Sequence, residues 1–398
     1  MAFNLNNLLS TLDSSIGLLD SSSDLLSILQ AINVTNPTMG HGKSQKKTYA
    51  TRASLPAASV SLRGSLAVVQ VIGNWEASGN ADNGLYVCTG NDWALVQGLD
   101  SAGTPPLPFQ GSTSGYTSGG QASNVIDKYD YASDGDATNV GDLTTSRICV
   151  GQSSANHGYS TGYASGGATN TAIDKFPFAS DFIGNATDVG DLAVWVGIGA
   201  GQSSIANGFG YHTGGNLKAP PYAATNNIQK FSFATDGDGT DVSDLSLSRG
   251  TMTGQSSSEN GYTSGGIGAA GPPAREDVID KFPFASDGDA TEVGNLTIGR
   301  YGLSGQSSST HGYSSGGFIT TNRIDKFSFA SNGNASDVGD LTAGRYTYTA
   351  GTSSTASGYA TGPNLLVDKF PFASDFNGTA TDVLNLTVTR QYAAGQQI

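Results

Sequence analysis

The sequence predicts a mainly β protein whose larger part is a six-bladed β-propeller, and two observations support this prediction. Glycine accounts for 55 of the 398 residues, which is too many for a helical protein, and it lacks the three-residue period of collagen. In addition, a sequence repeat of about 48 residues occurs six times between residues 111 and 398. A period of roughly 40–50 residues, with several short strands in each copy, is typical of propeller blades.

The copies are recognised by phrases of the type GYTSGG and VIDKFPFASDGDATEVGNL. They span residues 115–147, 162–192, 210–249, 261–300, 312–345 and 358–390. A lysine recurs in every copy, at Lys128, Lys175, Lys230, Lys281, Lys326 and Lys369, with spacings of 47, 55, 51, 45 and 43 residues. A solenoid is the alternative repetitive fold, but its turns usually take about 20–30 residues, which is less than these spacings.

Each copy divides into four strands, which we name a to d. Strand a follows a recurrent arginine and runs into GQSS, strand b is the GYTSGG phrase, strand c is IDKFPFA and strand d is DVGDL. On strand c, Phe282 and Phe284 alternate with Lys281 and Pro283, so the two rings share one face of the strand. The c–d connection is rich in Asp, Gly and Asn, which favour turns.

The two ends of the repeat region complement each other. The first copy opens with strand b and has no strand a before it, whereas the chain after Arg390 reads QYAAGQQI, like the start of a further copy. We therefore predict that this C-terminal segment supplies strand a to the first blade. Such pairing closes the ring and removes an open sheet edge.

The chain before the repeats divides into three parts. Residues 1–47 are predicted to form two short helices and a linker that attach the protein to other subunits; a helical hairpin packed within the chain is the alternative. The apolar residues at helical spacing that would make this attachment are Leu5, Leu8, Leu9, Leu12, Ile16, Leu25 and Leu29. Residues 48–100 are predicted to be a small β module with strands at 66–72, 84–88 and 93–97, and residues 101–110 a Pro-rich linker.

Three phrases resemble known families. GYSSGG followed by a hydrophobic strand and an L-x-x-x-R ending resembles the kelch-type propeller repeat, although the tryptophan usual in that repeat is missing. DKFPFASDGDATEVGNLT is similar to repeats in tail and virion proteins of phages of marine bacteria, and residues 53–96 resemble a small module of phage tail and fibre proteins. The resemblance implies a tail-fibre-like protein on the virion surface. Its partners would be other virion proteins at the N-terminus and a host glycan or receptor, and tail fibres are often trimers.

The candidate binding residues lie in the b–c connections, because these differ most among the copies. The connections are short in most copies but extend over residues 216–227 in the third and 267–277 in the fourth. Variable loops on a rigid scaffold are common binding sites, although neutral insertions are the alternative. The candidate ligand-binding residues are Lys218, Tyr222, Arg275 and Glu276.

The Asp-rich c–d turns raise the question of a calcium site. Asp134, Asp136 and Asp142 offer hard oxygen ligands, yet another copy has Asn332 and Asn334 at the paired positions, which removes the charge that cation affinity needs. We therefore expect turn chemistry rather than a metal or other cofactor.

An arginine recurs in five copies, at Arg147, Arg249, Arg300, Arg345 and Arg390, whereas the third copy has Val196. We predict a structural ion pair between this arginine and the aspartate of the IDK phrase. An anion-binding ring of arginines is the alternative.

Charge and composition argue against several classes of protein. The net charge is −14, with 33 acidic and 19 basic residues and no large basic cluster, which disfavours nucleic-acid binding. No apolar run reaches the length of a transmembrane helix, and the start of the chain does not resemble a secretory signal. Clustered, non-repeated carboxylates and histidines are scarce, which disfavours an enzyme acting on polysaccharide. A decoration protein without a receptor is the alternative to an adhesin.

Overall fold

A computed structural model describes residues 109–398 apart from 166–170, 180–182, 218–222, 269–274, 319–320, 346–349, 363 and 374–375, together with the backbone of four strands before residue 99. The predicted N-terminal helices with their attachment residues lie outside the described residues, as do Lys218 and Tyr222. The chain divides into two units, residues 1–106 and 107–398. Within the described part, no helix is long and apolar enough to cross a membrane.

The first unit contains one four-stranded sheet in the order β1–β2–β3–β4. Its strands are β1 (Thr48–Tyr49), β2 (Leu66–Val69), β3 (Gly84–Cys88) and β4 (Trp93–Gly98). The β1–β2 pair is parallel, and the other pairs are antiparallel. The remainder of the strand predicted over residues 66–72 lies outside the described residues.

The second unit is a six-bladed β-propeller, as the repeats predict, and each blade is an antiparallel sheet in the order a–b–c–d. Blade 1 has strands a Ala394–Gln397, b Ser114–Ser118, c Val125–Asp130 and d Thr138–Asp142. Blade 2 has strands a Arg147–Ser153, b His157–Ala164, c Ala172–Pro177 and d Thr187–Asp191. Blade 3 has strands a Ala200–Ser204, b Phe209–Leu217, c Ala224–Ser232 and d Thr240–Asp244.

Blades 4 to 6 follow the same pattern. Blade 4 has strands a Thr253–Ser256, b Asn260–Ser264, c Val278–Pro283 and d Thr291–Asn295. Blade 5 has strands a Ser304–Ser307, b His311–Ser315, c Arg323–Ser328 and d Ser336–Asp340. Blade 6 has strands a Gly351–Ser353, b Ser357–Thr361, c Leu366–Pro371 and d Thr381–Asn385. Short extra strands are Val196–Gly197, Arg249–Gly250, Ile267–Gly268 and Gly378–Thr379.

The a strands surround the axis and contact one another in a closed ring. Each carries a glycine whose Cα faces the carbonyl oxygen of the equivalent glycine in the neighbouring blade, so that a Cβ atom would come within 2.1–2.3 Å of that oxygen. These glycines are Gly151, Gly201, Gly254, Gly305, Gly351 and Gly395. Gly395 belongs to the C-terminal strand, which pairs with strand b of blade 1 and so closes the ring.

A ring of hydrogen bonds runs around the axis two residues further along the same strands. The N–H of Ser153 donates to Oγ of Ser203 at 2.9 Å, and equivalent bonds continue through Ser256, Ser307 and Ser353. Gln397 occupies the sixth position: its Oε1 accepts from the N–H of Ser353, and its own N–H donates to Oγ of Ser153. The C-terminal strand therefore takes part in the ring as a full member.

Aromatic residues form the core between blades. Tyr211 on strand b of blade 3 packs against Phe282 and Phe284 on strand c of blade 4, with ring centroids 5.4 and 5.1 Å apart. A glycine precedes each such tyrosine and leaves room for the aromatic ring on strand c of the same blade. A Cβ atom at that glycine would lie 2.2–2.5 Å from the ring. The same arrangement joins blade 6 to blade 1, where Tyr359 contacts Tyr129 and Tyr131.

Blade 2 begins earlier than the repeat phrase indicates. The sequence GYSTGYASGG contains Gly-Tyr twice, and the fuller match to the repeat phrase, from Gly162, predicts that strand b starts there. The structure instead begins the strand at His157 and places Tyr159 against Phe231 and Phe233 of blade 3. The packing of Tyr159 against blade 3 therefore shows which Gly-Tyr pair of blade 2 is equivalent to those of the other blades, although the second pair matches the repeat phrase more fully.

Candidate ligand-binding face

Successive strands of each blade run in opposite directions, so the connections between them lie on two opposite faces of the propeller. We call the side formed by the b–c and d–a connections the loop face, and the side formed by the a–b and c–d connections the turn face. The described chain enters the propeller on the turn face: the carbonyl of Phe109 accepts from Nε2 of Gln397 at 3.0 Å, and the N–H of Gly111 donates to the carbonyl of Ser353 at 2.8 Å. The loop face is thus opposite the point of entry.

The recurrent arginines form buried ion pairs within their blades, which confirms the structural prediction. The N–O distances are 3.1 Å for Arg147–Asp174, 2.9 Å for Arg249–Asp280, 2.8 Å for Arg300–Asp325 and 2.7 Å for Arg345–Asp368, and Arg390 pairs with Asp127. The exposed fraction of these arginine side chains is 0–4%. The alternative of an anion-binding arginine ring is wrong, because the guanidinium groups are enclosed and already bound to carboxylates.

Each paired aspartate accepts hydrogen bonds from a nearby threonine or serine in addition to its contact with the arginine. Asp325 accepts from the hydroxyl of Thr297 at 2.7 Å and from its N–H at 2.9 Å. Burial lowers the pKa of Arg300 below its usual value, and the charge of Asp325 opposes this shift. These additional bonds are what a buried charge pair requires to offset desolvation.

Blade 3 lacks the ion pair because both partners differ. Val196 replaces the arginine, and Gln229 stands where the other blades have the aspartate. The amide Oε1 of Gln229 accepts from the N–H of Val194 at 2.8 Å. The neutral pair thus avoids an uncompensated buried charge.

The aspartates of the c–d turns contact the preceding blade. Asp287 pairs with Lys230 at 2.7 Å, and Asp289 accepts from the N–H of Asp244 at 3.1 Å. In blade 5, Asn334 makes the latter type of bond to Asn295 at 3.1 Å, so the bond needs no charge. Among the described residues, no three His, Cys, Asp or Glu side chains form a group that could hold a metal ion.

A cavity of about 90 Å³ lies on the axis at the loop-face end of the a strands. Besides the backbone of the axial glycines, its walls include Ile148, Ile198, Met252, Leu303 and Tyr392. No lysine, arginine, histidine, aspartate or glutamate is among its lining residues. Ligand pockets usually measure about 300–1,000 Å³, so the enclosed part of this cavity is small by comparison.

Two buried groups near the axis could be mistaken for reactive residues. His212 is enclosed, its Nδ1 lies 3.0 Å from Oγ1 of Thr161, and burial lowers its pKa to about 4. Burial raises the pKa of Cys149 to about 12, which keeps the thiol protonated at neutral pH. Both side chains are therefore neutral parts of the core.

An exposed aromatic cluster, which we call the aromatic platform, consists of Tyr301, Phe318 and Arg275 at the junction of blades 4 and 5. The rings of Tyr301 and Phe318 stack with centroids 4.8 Å apart and an interplanar angle of 26°. The guanidinium carbon of Arg275 lies 5.8 Å from the centroid of Phe318. The backbone holds these groups together, since Tyr301 and Phe318 form a β-bridge and the carbonyl of Arg275 lies close to the Cα of Gly299.

Exposed apolar side chains are concentrated on this part of the loop face. Leu247, Ile298 and Phe318 are 43%, 39% and 36% exposed, and they lie in connections that join or belong to blades 3 to 5. Among the described residues one other large hydrophobic side chain is exposed, Ile183 on the turn face, which at 86% is the most exposed of the four. The chain thus offers a mixed aromatic and apolar surface near the extended b–c loops.

The structure places two of the sequence-predicted site residues on this surface. Arg275 is exposed and belongs to the platform, whereas Glu276 is partly buried, with its carboxylate close to Gly268. Sequence reasoning missed Tyr301 and Phe318. The available signal was limited to Phe318, which does not recur at the equivalent position of the other copies, whereas Tyr301 follows the recurrent arginine as Tyr346 does.

Comparisons with known proteins give one informative result. No protein-family model and no curated protein matches the chain. Among solved structures that match, the structure of YjhT has a TM-score of 0.50 at 11% sequence identity, and the match covers 62% of this chain and 86% of that chain. The likeness concerns the fold alone.

Proposed function

We propose that this protein is a tail-fibre-like virion protein of a phage, which attaches through its N-terminal segment and adheres to a glycan on the host surface through the loop face. The observation that carries the proposal is the placement of features on opposite faces. The chain enters the propeller on the turn face, whereas the aromatic platform lies on the loop face. A propeller attached at its point of entry would present the platform outward.

The surface chemistry supports adhesion rather than catalysis. Exposed aromatic and apolar side chains with a few polar groups are typical of saccharide and protein recognition. The axial cavity is small, and its lining residues include no charged side chain. The resemblance of the repeats and of residues 53–96 to phage tail and virion proteins supports a position on the virion, as an oligomer, with a trimer favoured.

Blocking one face at a time tests the proposal. In the full chain with Cys88→Ser, a cysteine at Ile298 on the loop face or at Ile183 on the turn face would be coupled to a bulky polyethylene-glycol maleimide; Cys149 is buried. Binding of each conjugate to a panel of marine bacteria would be measured by flow cytometry. We expect the Ile298 conjugate to lose binding by at least about tenfold and the Ile183 conjugate to retain it.

The uncoupled cysteine variants serve as controls for the substitutions themselves. Equal loss of binding in both conjugates would contradict a loop-face adhesin. If the unmodified protein binds no strain of the panel, whereas removal of residues 1–47 prevents assembly into particles, the role is that of a decoration protein.

A further inference from the structure

We infer that Arg275 binds a carboxylate of the host glycan, so that the loop face recognises an acidic polysaccharide of the uronic acid type. This inference rests on the proposed adhesion function and specifies its ligand. The juxtaposition that carries it is an exposed guanidinium held over a stacked aromatic pair.

The first argument is the state of the arginine side chains. Among the described residues, every arginine except Arg275 forms an ion pair with an aspartate: Arg147, Arg249, Arg300, Arg323, Arg345 and Arg390. Arg275 forms none with a described residue, although Glu276 follows it directly. Its charge is therefore not neutralised by that part of the chain, in a protein whose acidic residues outnumber its basic ones by 14.

The second argument is that Arg275 is positioned in advance. Its backbone pairs with Ile267, the N–H of Glu276 donates to the carbonyl of Gly266 at 2.9 Å, and the ring of Phe318 lies beneath the guanidinium. A guanidinium whose rotamers are already restricted loses less entropy when it binds a ligand. Its planar donors match the two oxygens of a carboxylate.

The third argument concerns the remainder of the ligand. The stacked rings of Phe318 and Tyr301 place apolar area beside the charge, which suits the C–H faces of a sugar ring better than a bare inorganic ion. The overall negative charge of the protein does not prevent this contact, because charges separated by more than a Debye length of about 8 Å are largely screened at physiological ionic strength. An anionic saccharide satisfies both parts of the surface.

Binding of the full-length protein to immobilised polygalacturonate, dextran sulfate and neutral dextran tests the inference. We expect polygalacturonate to bind most tightly, and Arg275→Gln to weaken that binding by at least about tenfold, which corresponds to 1.4 kcal/mol. Arg275→Lys should recover part of it, because an ammonium keeps the charge but not the planar donors. The control is Arg323→Gln, which removes a loop-face arginine that is already paired with Asp337 at 3.3 Å and should leave binding unchanged.

Several outcomes would overturn the inference. These are equal binding to dextran and polygalacturonate, tighter binding to dextran sulfate, unchanged binding in Arg275→Gln, or an equal loss in Arg323→Gln. An unchanged melting temperature of Arg275→Gln would show that lost binding does not come from unfolding. If bacteria still bind and the Ile298 conjugate blocks them while polygalacturonate does not bind, the carboxylate inference fails and the adhesion proposal stands.

Discussion

Replacing Arg300 by valine is expected to lower the free energy of unfolding by about 3–5 kcal/mol, because Asp325 is then left buried without its cation. The companion variant combines Arg300→Val with Asp325→Gln and so copies the Val196 and Gln229 pair of blade 3. This double variant should recover most of the loss, since no buried charge remains. Urea unfolding of the single and double variants measures both effects.

The surface pair of Lys175 and Asp236, in blades 2 and 3, provides a matched control. Replacing Asp236 by asparagine should change stability by less than about 1 kcal/mol, as is usual for solvent-exposed ion pairs. A double variant as unstable as Arg300→Val alone would contradict the idea that blade 3 uses a neutral equivalent of the ion pair.

Deleting residues 391–398 is expected to abolish cooperative unfolding of the propeller. The deletion removes strand a of blade 1, exposes the backbone of strand b and interrupts the glycine and serine rings around the axis. Thermal unfolding followed by circular dichroism should change from one sharp transition to a broad one at lower temperature.

A control for this deletion is Gln397→Ser, which introduces the residue that occupies the same position in the other five blades. A serine hydroxyl can accept from the N–H of Ser353 as its equivalents do, so we expect unfolding to stay cooperative. A truncated chain that melts in one transition at the original temperature would contradict the role assigned to the C-terminal strand.

The sequence predicts the propeller well because its signals are local and repeated. Alternation on strand c places Phe282 and Phe284 on one buried face, and the unmatched ends of the repeat region point to closure by the C-terminal tail. Register fails where the local signal is ambiguous, as in blade 2, where two Gly-Tyr pairs compete. The aromatic contacts with blade 3 and the hydrogen bond from Gln396 to the carbonyl of Tyr159 distinguish Tyr159 from Tyr163.

Two substitutions at repeat positions form one interaction in the structure, and a single sequence could not show that they belong together. In five a strands a glutamine amide donates to the carbonyl of a tyrosine in the next blade, as Gln202 does to Tyr262 at 2.9 Å. Blade 6 has the shorter Thr352, whose hydroxyl instead lies 2.7 Å from that of Tyr129, where the other blades have phenylalanine. The two substitutions are 223 residues apart in sequence and become one interaction only when the ring closes.

The candidate site was predictable only in part. Loop-length variation led to Arg275, but the platform depends on a d–a connection meeting a b–c loop of the next blade, and Phe318 has no counterpart in the other copies. Their stacking is a consequence of blade packing. Residues 218–222 lie outside the described part of the chain, so Lys218 and Tyr222 stay predictions.

The propeller is a closed ring in which the C-terminal strand belongs to blade 1, and amide hydrogen exchange at this strand tests closure most directly. If the ring is closed, the amides of Ala394–Gln397 should be as protected as those of Thr253–Ser256 in blade 4, because both exchange only when the propeller unfolds globally. Exchange of the C-terminal amides that is orders of magnitude faster, at the rate of a frayed terminus, would contradict the account.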